Sequence, residues 1–98
     1  MRKKGVLPTH FYTEMDGWTT MFSDIIEEGE YGQESIKLVF EKPINGGFAH
    51  GELMLPDYIW KKQLSMTEDD VYDLEQYARD NAPLIWELAR EGNGCLQS

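Results

Sequence analysis

A histidine between two carboxylates is the first chemistry the chain offers. His50 and Glu52 stand two residues apart, so an extended backbone puts them on one face. Glu41 falls opposite His50 if residues 35–55 fold as a hairpin about Asn45-Gly46. A His/Glu/Glu group can hold a metal ion or serve as an acid–base pair. The same trio can be a cross-strand ion pair on a wet sheet face, contributing about 0.2–1 kcal/mol. His10 is remote in sequence and a flat sheet excludes no water, so the ion pair is the expectation. No catalytic residue, metal ligand or cofactor is assigned.

Other chemical motifs fail on inspection. The segment Asp24–Ser35 places Gly29 at the sixth position of a calcium loop, but Ile26 and Ser35 then occupy the third and twelfth, where an oxygen ligand and a bidentate Glu are required. There is no glycine-rich phosphate loop, Cys-x-x-Cys, His-Glu-x-x-His or Gly-x-Ser-x-Gly. Cys95, the lone cysteine, allows no internal disulfide and has no histidine fixed beside it.

Charge is the more informative property. Eighteen acids against nine bases give a net charge of −9. From Glu14 to Glu34 there are seven acids and no base; from Glu68 to Asp80 there are six acids and only Arg79. Such a field repels nucleic acid and anionic membrane and favours basic protein surfaces. Solubility alone is the competing explanation. The candidate partner-binding residues are therefore Glu27, Glu28, Glu30, Glu34, Glu68, Asp69 and Asp73, with Trp60 and Trp86 as aromatic anchors. Tyr58, Trp60, Lys61 and Lys62, between sheet and helix, are more often a lid packed over the end of the core than an interface anchor.

The elements that position these residues follow from spacing. Ninety-eight residues with 41% apolar content predict one domain, 1–98, with 1–8 and 93–98 flexible. In the 35–55 hairpin, Ile36, Leu38, Phe40, Gly51, Leu53 and Leu55 share one face, and Lys37, Val39, Glu41, Phe48, His50, Glu52 and Met54 share the other. His10–Met15 alternates as a strand. Trp18, Met21, Phe22, Ile25 and Ile26 match a helix stopped by Gly29, while Asp16-Gly17 offers a competing hairpin that pairs Met15 with Trp18, Thr13 with Thr20 and Phe11 with Phe22. Alternation collapses at Asp24-Ile25-Ile26, and the helix is the expectation.

Asp57–Ser65 reads as a loop. Thr67 and Asp70 read as the capping box of a helix whose buried stripe is Val71, Leu74, Tyr77, Ala78, Asn81, Leu84, Ile85 and Leu88. Trp86 falls toward its solvent face. Pro83 predicts a kink or break, and Gly92 and Gly94 a stop. The fold class is α+β: a small antiparallel sheet with helices packed on one face.

Gly51-Glu52-Leu53 leading into Leu55-Pro56, then a helix ending Leu84-Ile85-Trp86-Glu87-Leu88-Ala89-Arg90-Glu91-Gly92, resembles small prokaryotic and phage-borne proteins grouped as domains of unknown function. The resemblance covers the last half of the chain. It implies no activity and no site residues; toxin–antitoxin-like neighbours of some members imply a regulatory binder.

Function is thus expected to be non-enzymatic: an acidic regulator or inhibitor, antitoxin-like or anti-defence, presenting carboxylates to a basic surface, in the sharpest case where nucleic acid would lie. The alternatives are a small metal-dependent or acid–base enzyme using Glu41, His50 and Glu52, and a homodimer held by the sheet edge or Trp86. Arg2-Lys3-Lys4 is followed by no signal-like apolar stretch, and no run is long enough to span a bilayer, so a cytoplasmic location is expected.

Overall fold

The computed structural model describes residues 8–97, with side chains to residue 91. Of the ends expected to be flexible, residues 1–7 and 98 lie outside the described residues, while the backbone of 93–97 continues the C-terminal helix; the Cys95 side chain is not among those described. The centre of the fold is the hairpin of β4 (Gln33–Ile44) and β5 (Gly47–Leu55). Its register is the one Asn45-Gly46 dictates, with Ile36 opposite Leu55, Phe40 opposite Gly51 and Glu41 opposite His50. Ile36, Leu38, Phe40, Leu53 and Leu55 are fully buried in the core.

Upstream, β1 (Thr9–Met15) turns at Asp16-Gly17 into β2 (Trp18–Ser23), which pairs with β4. The helix expected over 18–28 is therefore replaced by a strand, followed by the short β3 (Ile26–Glu28), which also pairs with β4. The reason is tertiary. Twelve residues of β4 present a free edge whose N–H and C=O groups need partners. Strand spacing also sends Trp18, Thr20 and Phe22 into the interior. Met15 meets Trp18 and Thr13 meets Thr20 as the hairpin pattern requires, but an irregularity at Tyr12 sets Phe11 against Met21 and His10 against Phe22.

Ser23 repairs the break between β2 and β3. Its hydroxyl accepts the Lys37 N–H at 2.9 Å and donates to the Asp24 carbonyl at 2.8 Å. Gly29, the expected helix stop, instead sits at φ +84° in the turn joining β3 to β4.

Downstream, Pro56 ends β5, but the expected loop is mostly strand: β6 (Ile59–Leu64) covers the outer edge of β5. Its Lys61-Lys62 pair disguised it in sequence, although charge suits an edge strand that must not recruit another chain. The six-stranded antiparallel sheet runs β1-β2-β4-β5-β6, with β3 beside β4.

One helix, α1 (Glu68–Gln97), covers one face of this sheet. The capping box forms as expected: the Asp70 N–H donates to Thr67 Oγ1 at 3.0 Å, and the Thr67 N–H donates to Asp70 Oδ2 at 2.9 Å. Leu74, Ala78, Ala82, Ile85 and Ala89 are the buried stripe, their small side chains letting helix and sheet approach closely. Leu84, expected in the stripe, is exposed. Trp86, expected toward solvent, is half-buried against the core edge. The helix runs unbroken through Pro83, which lies on the exposed side where the freed Arg79 carbonyl can turn to water. Gly92 and Gly94 do not stop it. No helix among the described residues is long and apolar enough to cross a membrane.

Ser23→Ala is expected to leave the Lys37 N–H without a partner and to lower stability by about 1–3 kcal/mol. A urea midpoint unchanged from wild type would show that water replaces the hydroxyl.

Candidate functional site

The chain presents three chemically distinct surfaces, and the structure decides what each can do. On the open sheet face, β4 and β5 bring Glu41, His50 and Glu52 together as the register requires. His50 Nδ1 lies 3.0 Å from Glu41 Oε2, and Nε2 lies 2.8 Å from Glu52 Oε2. Lys37 Nζ approaches the other Glu52 oxygen at 3.5 Å. Carboxylates only accept, so both ring nitrogens serve as donors when both contacts are made. Neither is left aimed at a substrate. The geometry is that of an ion-pair network. The hydrogen bond from His50 holds the Glu52 carboxyl below its ordinary value of 4.5, with Lys37 and Lys62 adding to it and partial burial opposing.

The second surface is a cleft of about 230 Å³ where the β1–β2 turn meets the first half of α1. Trp18, Leu74 and Tyr77 line it, with Asp16, Asp73 and Lys42 among its charged residues. The Lys42 ammonium stands 5.7 Å from the Trp18 ring centroid. Small-molecule sites usually enclose about 300–1,000 Å³. This notch is sized for a single side chain.

The third surface is the outer ridge of α1. Counting by the helical repeat, Asp69, Asp73, Asp80, Glu87 and Glu91 fall on one stripe opposite the buried alanines. All five are exposed, and exposed Tyr72 and Leu84 lie beside them. At 1.5 Å per residue the ridge is about 33 Å long. The helix carries two arginines between Glu68 and Glu91, both on one flank and both engaged. Arg79 donates to Glu75 at 2.9 Å and stacks on Tyr58, its guanidinium carbon 4.1 Å from the ring centroid. Arg90 donates to Glu34 at 2.8 Å and lies over Trp86 at 5.5 Å. Hydrogen bonds from these arginines hold Glu34 and Glu75 below the usual carboxylate range.

The residues picked out from sequence do not form one patch. Glu68, Asp69 and Asp73 stand in the first two turns of α1, while Glu27, Glu28, Glu30 and Glu34 gather on β3, its turn and β4. Arg90, the ridge-end partner of Glu34, is about 33 Å along the helix from Glu68. Asp80, Glu87 and Glu91 join the two ends and were missed as site residues. The signal for them was a second helical stripe, of acids, out of phase with the apolar one.

Trp60 is no free anchor. It packs on Phe40 at 5.9 Å, donates to Glu75 at 3.2 Å and leaves no room for a side chain at Gly51, whose Cβ would meet its ring at 2.9 Å. Trp86 is taken up by the core edge and Arg90. No protein-family model, curated protein or solved structure matches the chain.

Because the Glu52 carboxyl is depressed in the folded state, the native protein binds fewer protons there than the unfolded chain near pH 4. Its contribution is present above the unfolded value of 4.5 and lost as pH falls through the lowered one. Glu52→Gln is expected to cost a few tenths to about 1 kcal/mol at pH 7 and to flatten the acid limb between about pH 5 and 3. Urea midpoints across that range measure it; an acid limb as steep as wild type would remove the ion pair as a contributor.

Proposed function

We propose that the chain is a non-enzymatic binding protein that lays the outer ridge of α1 against a basic surface of another protein, as an inhibitor or regulator. The observation that carries this reading is the placement of the arginines. Arg79 and Arg90 are drawn to one flank by Glu75, Glu34 and two aromatic rings, so the ridge itself carries carboxylates and no base. Exposed Tyr72 and Leu84 supply apolar contact area, which purely electrostatic surfaces lack. The cleft beside Asp73 takes one side chain of the partner, with a lysine or arginine stem along Met15 and Tyr77 and its charge toward Asp16 and Asp73.

Charge density favours a basic protein surface in general over mimicry of nucleic acid. Five carboxylates over about 33 Å amount to one per roughly 7 Å, whereas duplex DNA carries one charge per about 1.7 Å. A groove shaped for duplex would find the ridge a sparse substitute.

Asp80 and Glu87 are exposed and make no described hydrogen bond or ion pair, so Asp80→Lys with Glu87→Lys should preserve the fold. Wild-type protein used as bait is expected to retain a basic partner at low salt and release it near about 0.5 M salt, as screening shortens the field. The double variant should retain less than about a tenth as much, an effect above 1.4 kcal/mol. Equal recovery by both baits, or recovery indifferent to salt, overturns the proposal.

A further inference from the structure

The sheet has a second face, opposite α1, and among the described residues no element packs on it. Strand alternation places Phe11, Phe48, Ile59 and Leu64 there, at 65%, 59%, 50% and 56% exposure. Four large apolar side chains on one face exceed the single scattered residues that a soluble surface normally shows. Between them the polar groups are already paired: His50 lies between Glu41 and Glu52, and Lys37 reaches Glu52. Such a face can be covered without stranding those charges, in contrast to the acidic ridge on the other side of the molecule.

We propose that this face is covered by a second copy of the chain, in a two-fold sheet-to-sheet dimer. The charge distribution selects a copy of itself. Each molecule carries −9, and the near-neutral open face is where two such molecules meet with their acidic helices turned away from each other. A two-fold axis along the strands sets β1 of one copy over β6 of the other. Cross-strand register then fixes the contacts. Glu14 and Leu64 share one lateral row, and Phe11 and Lys62 share the next. Superposing the edges sets Glu14 over the partner's Leu64 and Phe11 over the partner's Lys62, so the Glu14–Lys62 and Phe11–Leu64 contacts are made diagonally, one row or about 7 Å along the strands.

Size agrees. Five strands about 4.8 Å apart, nine residues long in the β4–β5 ladder and six or seven in β1, β2 and β6, give a footprint on the order of 600 Å². That is at the lower end of the roughly 600–1,000 Å² per partner of a stable interface.

Sedimentation equilibrium of the full chain from about 1 to 500 µM, in about 0.15 M salt, tests this. Twice the monomer mass of 11.4 kDa is expected at the upper end. Leu64→Glu and Phe11→Ser alter exposed side chains; each is expected to weaken association at least tenfold while leaving the thermal melt at low concentration unchanged. Glu14→Lys alone should weaken it, and adding Lys62→Glu should restore it. A mass of 11.4 kDa at every concentration overturns the proposal and leaves the face to a different molecule. So does a dimer that none of these substitutions affects, which would associate through an edge or the helix.

Discussion

Two residues, Asn45 and Gly46, hold the β4–β5 hairpin in a register that the rest of the molecule cannot do without. Gly46 takes φ +84°, which a side chain would resist, and the turn so formed pairs Ile44 with Gly47 and carries the register down to Ile36 and Leu55. A slip of one residue would turn Ile36, Leu38 and Phe40 to solvent and bury Lys37, Val39 and Glu41 in their place. The apolar loss alone is about 1.5–3 kcal/mol per side chain, before any penalty for buried charge. Helix docking, the His50 network and the composition of the open face are all consequences of this one turn.

The hairpin and the capped helix were legible because their signals are local. Asn-Gly defines its own turn, Thr67 and Asp70 bond to each other, and alternation or helical spacing tells which face is apolar. Segments 18–28 and 57–65 were not legible in the same way. Trp18, Met21, Phe22, Ile25 and Ile26 satisfy a helical repeat, yet β4 needs a partner along its free edge, and for β2 that demand comes from residues far along the chain, Thr19 pairing with Glu41 and Phe22 with Leu38. Likewise Lys61-Lys62 reads as loop until β5 is seen to lack an outer neighbour. At the site, acid content was legible and its grouping was not. Glu34 and Glu68 look alike in composition, but one clamps Arg90 and the other opens a helix at the far end. Glu75 and Arg79 have the i,i+4 spacing of a helical pair, but the stacking of Arg79 on Tyr58, from the turn before β6, is revealed by no spacing rule.

Exposure and charge divide the molecule into two sides of different chemistry. Aromatic residues that composition marks as interface anchors are largely spent inside: Trp18 under Lys42, Trp60 on Phe40 and Gly51, Trp86 beneath Arg90. What remains outside is apolar area on the open sheet and carboxylate on the helix. The arginines link the two observations. By stacking on Tyr58 and Trp86 they cover aromatic surface and leave the ridge, so the same contacts that finish the core also make the outer helix face uniformly acidic.

These two surfaces are physically independent, and their combination has a consequence. With sheets about 10 Å apart and a helix layer of similar thickness outside each, the two acidic ridges of a dimer would lie roughly 30 Å from each other. The Debye length at physiological salt is about 8 Å. Repulsion between ridges is therefore screened over several decay lengths and does not oppose pairing through the sheets, even at −9 per chain. Such a dimer would engage its partner bivalently. Two ridges pointing in opposite directions cannot grip one small basic protein twice, but they can join two copies of it or hold a symmetric assembly, where the second contact forms at a raised effective concentration. Loss of the sheet interface would in that case weaken binding to an oligomeric partner while leaving the affinity for a monomeric basic surface unchanged.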